Sequence, residues 1–229
     1  MLIAGFPAGS FQANCYVLAV GRGNECLVVD PGENAVDPLR EVLRTHDLTP
    51  AAVLLTHGHL DHIASAAEIC RWAQVPAYVH AGDEHLLDDP LSGLNDMFRQ
   101  MLQGIPLDDL RPPDVRTLGT ELHTAGLHLA VDHTPGHTPG SVVFRFQAVG
   151  DGQRAGDSGG ERPEVLLTGD TLFAGSVGRT DLPGGSWEVL VQSLRTKLLS
   201  RPDDAVILPG HGPGSTIGAE RIGKPFLAS

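Results

Sequence analysis

Three imidazoles and a carboxylate crowd into the segment Thr56-His57-Gly58-His59-Leu60-Asp61-His62. Ring nitrogens and carboxylate oxygens massed in this way are the donor set of divalent transition metals. A strand ending at Thr56 delivers His57 and His59 in a tight turn that Gly58 makes possible, and Asp61 and His62 open the helix that follows. If His57 and His59 hold one ion, Asp61 and His62 are left to approach a second. Three later positions repeat the same local logic: His137 in Thr134-Pro135-Gly136-His137-Thr138, Asp170 in Thr168-Gly169-Asp170-Thr171, and His211 in Pro209-Gly210-His211-Gly212. Each follows a strand-like run and stands beside glycine. Alone, such a histidine is ordinarily a loop residue and such an aspartate a turn residue. Joined to the first cluster they complete five histidines and two aspartates, enough for two metal shells that share a carboxylate.

These residues need elements to carry them. The runs Leu27-Val28-Val29, Ala52-Val53-Leu54-Leu55, Val165-Leu166-Leu167 and Ala205-Val206-Ile207-Leu208 are nearly continuous in apolar residues, the pattern of strands buried on both faces. From His62 to Ala73 an apolar stripe of Ile63, Ala66, Ala67, Ile69, Cys70 and Ala73 predicts a helix, which Pro76 helps to end. A second helix is predicted from Trp187 to Leu199, with Ser186 as N-cap and Leu190, Leu194 and Leu198 on one face. Strands alternating with helices mean an α/β fold. The stretch from Asp88 to Pro113 is rich in proline and glycine around a short helical candidate at Leu94 to Leu102, and reads as a mobile excursion, either a lid or substrate wall or surface decoration. Between Val149 and Pro163 almost nothing is apolar, which predicts a flexible insertion at 149–163 within one domain spanning 1–229.

Bulk properties exclude some partners. With 229 residues, 41% of them hydrophobic, the chain can bury a sizeable core. Sixteen basic residues against 28 acidic ones give a net charge of −12, which repels phosphate backbones and anionic membranes. No nucleic acid and no membrane are expected as partners. The N-terminus lacks a basic region and is broken by Gly5 and Pro7, so no export signal is read there. Three widely spaced cysteines, Cys15, Cys26 and Cys70, fit reduced thiols in a cytoplasmic chain.

With these residues in place the chain resembles the metallo-β-lactamase superfamily and, within it, the glyoxalase II-like hydrolases. The carrying segments are Asn14-Cys15-Tyr16-Val17-Leu18, Val29-Asp30-Pro31-Gly32, the cradle from Thr56 to His62, and Thr134 to Ser141. They continue through Gly169-Asp170-Thr171-Leu172-Phe173, Gly178-Arg179-Thr180-Asp181-Leu182 and Leu208-Pro209-Gly210-His211-Gly212. The resemblance implies a four-layer αββα sandwich with two divalent metal ions at one edge, His57, His59 and His137 on the first, Asp61, His62 and His211 on the second, and Asp170 bridging. It also implies that Asp30 braces the metal loop and that Arg179 lies near the metal pocket, where an ion pair with Asp181 is the simpler account of that arginine. Two ions roughly 3.5 to 4 Å apart would hold a bridging hydroxide, with Asp61 as the catalytic carboxylate that orients it and takes its proton. Zinc is the first expectation for the metal, with iron or manganese next. The implied substrate is S-2-hydroxyacylglutathione or a related thioester. The chain ends shortly after His211, as in the shorter glyoxalase II-like type without the helical domain that holds glutathione, so another small thiol carrier is also open.

A mononuclear iron persulfide dioxygenase shares the cradle and a segment like Gly178 to Asp181, and is the main rival. A metal-stabilised, non-catalytic binding module is the other, while a β-lactamase and a nuclease are disfavoured by the absence of an export signal and by the net charge. Of the remaining histidines, His46, His85, His123 and His128 read as surface residues, and His80 and His133 as neighbours of the site without ligating it.

Overall fold

The computed structural model describes residues 1–102, 109–147 and 163–223. Its first sheet comprises β1 (Leu2–Ala8), β2 (Ala13–Ala19), β3 (Glu25–Val29), β4 (Thr49–Leu54), β5 (Ala77–Val79) and β6 (Val115–Thr117), paired in chain order. From β1 to β3 the pairs are antiparallel, and from β3 to β6 they are parallel. Parallel neighbours require crossovers. These are supplied by α1 (Val36–His46), by α2 (Leu60–Ile63) with α3 (Ala66–Ala73), and by α4 (His85–Asp88) with α5 (Asp96–Met101).

The second half contributes β7 (Glu121–Thr124), β8 (Leu127–His133), β9 (Val142–Gln147) and β10 (Glu164–Gly169), then a small ribbon of β11 (Leu172–Phe173) and β12 (Ser176–Val177). Next come α6 (Trp187–Ser193), a π-helical turn at Leu194–Leu198, β13 (Val206–Pro209), β14 (Ser215–Thr216) and α7 (Ile217–Gly223). The second sheet has the order β14-β13-β10-β9-β8-β7.

Alternation along the strands divides the apolar side chains among three cores. On β3, Cys26 and Val28 face Leu39 and Leu43 of α1 and Ile69 and Cys70 of α3, while Leu27 and Val29 meet Val142, Phe144 and Leu167 of the other sheet. On β10, Leu166 turns outward to Leu190, Leu194, Leu198 and Ile217. Helix, sheet, sheet, helix is the resulting stack, the four-layer αββα sandwich of the α/β class. Phe144, fully buried between the sheets, is the largest plug in the central layer, where truncation to alanine costs about 3–5 kcal/mol.

All four strand-like runs form strands, and the second helix starts at Ser186, whose Oγ accepts from Val189 N. Beyond Ser193 it widens into the π-helical turn without losing its buried leucine face. The helix expected from His62 to Ala73 is instead two. Ser65 breaks it, because its N–H donates to Pro31 O, its hydroxyl donates to Gly32 O at 2.6 Å and Ala35 N donates back to that hydroxyl. The side chain and backbone of one residue thus serve the neighbouring loop rather than a continuous helix. Helix α3 ends at Gln74 in the left-handed region, before Pro76. Within the excursion the helical candidate is α5, and the insertion expected at 149–163 falls, except for Pro163, outside the described residues. Cys15, Cys26 and Cys70 are buried and free. No helix among the described residues is long and apolar enough to cross a membrane.

Candidate metal centre

The expected ligands lie past the C-terminal ends of strands or on the short helix that follows β4, and the fold gathers them at one edge of the sandwich. His57 and His59 follow β4, His137 follows β8, Asp170 follows β10 and His211 follows β13; Asp61 and His62 lie on α2. One group of converging donor atoms comprises His57, His59 and His137, and a second comprises Asp61, His62 and His211. His59 Nδ1 is 2.8 Å from His137 Nε2, and His62 Nε2 is 3.2 Å from His211 Nε2. Asp170 stands between the groups, with Oδ2 at 3.7 Å from His137 Nε2 and 3.6 Å from His211 Nε2, and Oδ1 at 3.3 Å from His62 Nε2. Asp61 Oδ2 reaches His211 Nε2 at 3.2 Å.

Around this ring a set of hydrogen bonds fixes which nitrogen each imidazole offers. His62 Nδ1 donates to Asp30 Oδ2 at 3.1 Å, His137 Nδ1 to Arg179 O at 2.8 Å, and His211 Nδ1 to Phe11 O at 3.1 Å. Thr56 Oγ1 donates to Asp30 Oδ2, so it accepts from His57 Nδ1. With the outer nitrogen of these four rings engaged, Nε2 is the one that faces inward on His57, His62, His137 and His211, whereas His59 turns Nδ1 inward. Asp30 also accepts from Thr56 N at 2.7 Å, and it holds a positive φ of 50° to do so. It therefore has the bracing place expected of it.

A second carboxylate has an equivalent role that sequence reasoning missed. Asp83, fully buried, accepts from Gly58 N and Thr138 Oγ1 on Oδ2 and from Gly140 N on Oδ1, at 2.8, 2.6 and 2.6 Å. It ties the turn that carries His57 and His59 to the turn that carries His137. Its only signal in the chain is a buried aspartate after His80-Ala81-Gly82. Asn14 and Tyr16 do the same for His211: Asn14 Nδ2 donates to Pro209 O and Gly212 O, and Tyr16 OH donates to Pro209 O.

Gly58 serves differently from the expectation. It does not adopt positive φ; a side chain there would instead strike Leu86, 2.7 Å from the added carbon. Close approach is also the reason for Gly210, where a side chain would collide with Asp170 Oδ1 and His62 Cε1.

Electrostatics match a cation site. Burial, then the neighbouring His62, His137 and His59, push the His57 imidazole well down, and burial with His137 brings His59 to about 3. Both rings are neutral at pH 7, with lone pairs free. Burial alone would raise Asp61 and Asp170, but the attraction of His62, His211 and the other imidazoles outweighs it and holds both carboxyls below their usual range. Burial likewise opposes charge on His62 and His211, yet Asp170 and Asp61 draw both upward. Within this ring His57 Nε2, His59 Nε2 and Asp170 Oδ1 are buried with no hydrogen-bond partner among the described residues. Unpartnered buried donors and acceptors are costly, and inward lone pairs facing one another at about 3 Å repel. Divalent cations answer both costs at His57 and Asp170; His59 Nε2 lies on the ring's outer side, against Gly93. The donor set, nitrogen and oxygen without thiolate, fits zinc, iron or manganese.

Two cavities meet here, sharing Asp170, Arg179 and His211. One, of about 470 Å³, is lined by Phe173, Ala174 and Val177. The other, of about 1070 Å³, runs between α1 and the excursion after α4. Arg179 lines both and is also in the ion pair with Asp181, at 2.7 Å through both Nε and Nη2.

The remaining histidines stay apart from the ring. His80 and His133 stack on each other at 4.0 Å beside the Asp83 and Gly140 turns. His46 bonds Arg22, and His85 is exposed on α4. His123 and His128 are exposed, as expected, and stack across the β7–β8 hairpin next to Glu121.

Comparison with known proteins agrees with this geometry. The model of the metallo-beta-lactamase superfamily matches residues 8–151 and 159–211. An uncharacterized protein of Mycobacterium tuberculosis is 46% identical over 99% of this chain and 98% of its own length. Hydroxyacylglutathione hydrolase GloC of Haemophilus influenzae is 35% identical over 97% of this chain and 96% of its own. Among solved structures, BLEG-1 B3 metallo-beta-lactamase superposes with a TM-score of 0.78 at 32% identity, covering 100% of both chains. TTHA1623, solved in a di-iron-bound form, superposes with a TM-score of 0.76 at 33% identity, covering 97% of this chain and 99% of its own. A fold of two packed sheets with its histidines and aspartates at one edge, matched over most of its length, makes this chain a member of the metallo-β-lactamase superfamily.

Proposed function

We propose that the protein is a binuclear metallohydrolase that cleaves thioesters, acting in the cytoplasm on S-2-hydroxyacylglutathione or a related small thiol ester. The observation that carries this reading is the pair of three-residue donor groups with Asp170 between them, open to two cavities. His57, His59 and His137 would hold the first ion, and Asp61, His62 and His211 the second, with Asp170 shared. Zinc is the first choice, with iron or manganese as alternatives. Such ions lower the pKa of bound water towards neutrality and polarise an acyl carbonyl.

The chain supplies the rest. Asp30, Thr56 and the carbonyls of Phe11 and Arg179 hold the rings in one tautomer, so that the donors are arranged before substrate arrives. Asp61, at the floor of the larger cavity, orients the attacking water and accepts its proton. Water adds to the carbonyl carbon, the carbon–sulfur bond breaks, and the electron pair leaves on sulfur. A thiol with a pKa of about 8.5 departs as thiolate without a general acid. The homologous hydroxyacylglutathione hydrolase supports this class of substrate. The free, buried cysteines support a reducing compartment.

Elemental analysis of the purified protein, with thioester hydrolysis and oxygen uptake assayed on the same sample, tests the proposal. Two metals and hydrolysis are expected. One iron with oxygen consumed on a persulfide would replace this reading by the dioxygenase. His59→Ala should fold and lose hydrolysis at least a hundredfold. If the wild-type protein turns nothing over and His59→Ala fails to fold, the ions are structural only.

A further inference from the structure

The larger cavity has an uneven distribution of charge, and that distribution bears on the part of the substrate that leaves. One wall is apolar, formed by Leu94, Phe98, Leu102, Leu110 and Leu182. The facing wall, along and beside α1 and α3, carries Glu33, Asp37, Arg40 and Glu68. Two guanidinium groups line the cavity, and each is already matched. Arg40 pairs with Asp37 at 3.2 Å and lies over the Trp72 ring at 5.2 Å. Arg179 pairs with Asp181 through two contacts of 2.7 Å and lies over the Phe98 ring at 5.4 Å. No lysine among the described residues lines the space. Glu33 accepts from Ser10 N, and neither Glu33 nor Glu68 has a cationic partner among the described residues.

Resting on the thioester hydrolase reading, we infer that this cavity receives the thiol-carrier arm of the substrate and selects a carrier without carboxylates, uncharged or amine-bearing, over a carboxylated peptide such as glutathione. A carboxylate entering there would meet two carboxylates with no cationic partner among the described residues and two arginines that each already face an aspartate. Unpaired charge of one sign along a cleft wall discriminates against that sign in its ligand, both at encounter and once bound. An aliphatic or amide-linked arm loses nothing on the acidic wall and gains contact with the leucines and Phe98.

The test uses the metal-loaded protein and one acyl group, 2-hydroxypropanoyl, on glutathione, on glutathione diethyl ester and on N-acetylcysteamine, with each rate divided by that of hydroxide-catalysed hydrolysis. Both carboxylate-free thioesters should exceed the glutathione thioester at least tenfold in kcat/KM, chiefly through KM. The gap should shrink severalfold in 0.5 M salt, where screening is strong, and in Glu68→Gln. Calorimetric titration with S-hexylglutathione and its diethyl ester, thioethers that offer no thioester to cleave, reads the same preference without thioester turnover. Equal or tighter binding of the free acid, or a faster glutathione thioester, overturns the charge selection and leaves the hydrolase reading intact. Tighter binding of the diester with no thioester hydrolysed supports the selection and overturns the hydrolase reading instead.

Discussion

Asp83 shows what one residue can hold in place. Its two oxygens accept three hydrogen bonds from Gly58, Thr138 and Gly140, all in the interior. Asp83→Ala leaves the buried N–H groups of Gly58 and Gly140 without their acceptor, each costing about 1–3 kcal/mol, while Thr138 Oγ1 keeps Ser141 Oγ at 2.7 Å. At about 2–4 °C per kcal/mol for a chain of this size, the melting temperature should fall by roughly 4–24 °C, and bound metal should fall with it. A melting temperature within about 2 °C of wild type would show that the two turns stand without the carboxylate. The cysteines make a second prediction at this scale. Burial pushes Cys26 and Cys70 up to about 12 and Cys15 well above its ordinary value, so the native protein should resist iodoacetamide at pH 8, whereas the unfolded chain labels at all three. Because the folded pKa values are raised, the thiols' contribution to stability is complete below the unfolded value near 9. It is lost as pH rises towards 12, where only the unfolded chain can ionise cheaply. The urea midpoint should therefore be lower at pH 10.5 than at pH 8.

Elements differ in how far the sequence reveals them. Strands β3, β4, β10 and β13 are legible because both faces are buried and their apolar runs are unbroken. The candidate donors His57, His59, Asp170 and His211 are legible because they follow β4, β10 and β13 closely, beside glycine. What the sequence hides is whatever depends on a partner far along the chain. Nothing around Ser65 announces that its hydroxyl serves Gly32 and Ala35, so a stripe with helical spacing conceals the break between α2 and α3. Asn14 and Tyr16 lie in β2, yet their side chains hold the loop after β13, nearly 200 residues away. Gly210 belongs to that loop. Its N–H donates to Gly169 O after β10, and its carbonyl accepts from Asn14 N in β2, so the backbone there has no freedom to withdraw. Gly210→Ala would drive a methyl group into Asp170 Oδ1 and His62 Cε1. The variant should keep its far-ultraviolet circular dichroism and lose most of its metal, and wild-type metal content would contradict that tight fit.

At the scale of the molecule the two halves of the candidate centre come from different sheets. His57 and His59 follow β4 of the first sheet, and Asp61 and His62 stand on the helix packed against it. His137, Asp170 and His211 follow β8, β10 and β13 of the second. Without cations the edge presents converging lone pairs and two carboxylates, charge and dipole that drive the sheets apart there. The apolar layer around Phe144 holds them together farther in. Ions bound across the edge would join the two sheets there, and they would bind only the folded arrangement, because no stretch of unfolded chain brings all seven candidate donors together. Their effect on stability follows from linkage: at a free metal concentration about a thousandfold above Kd, one site adds about 4 kcal/mol. That corresponds to roughly 8–16 °C per site. Stripping the protein with a chelator should therefore lower the melting temperature by about 10 °C or more, with the far-ultraviolet spectrum kept at 25 °C, and returning two equivalents of zinc, iron or manganese should restore it. Recovery should need the second equivalent as well as the first, since Asp170 is shared and neither group is complete without it. If one equivalent restores the whole shift, the edge works as a single site, and if chelation leaves the melting temperature unchanged, the sheets are held together by their apolar layer alone.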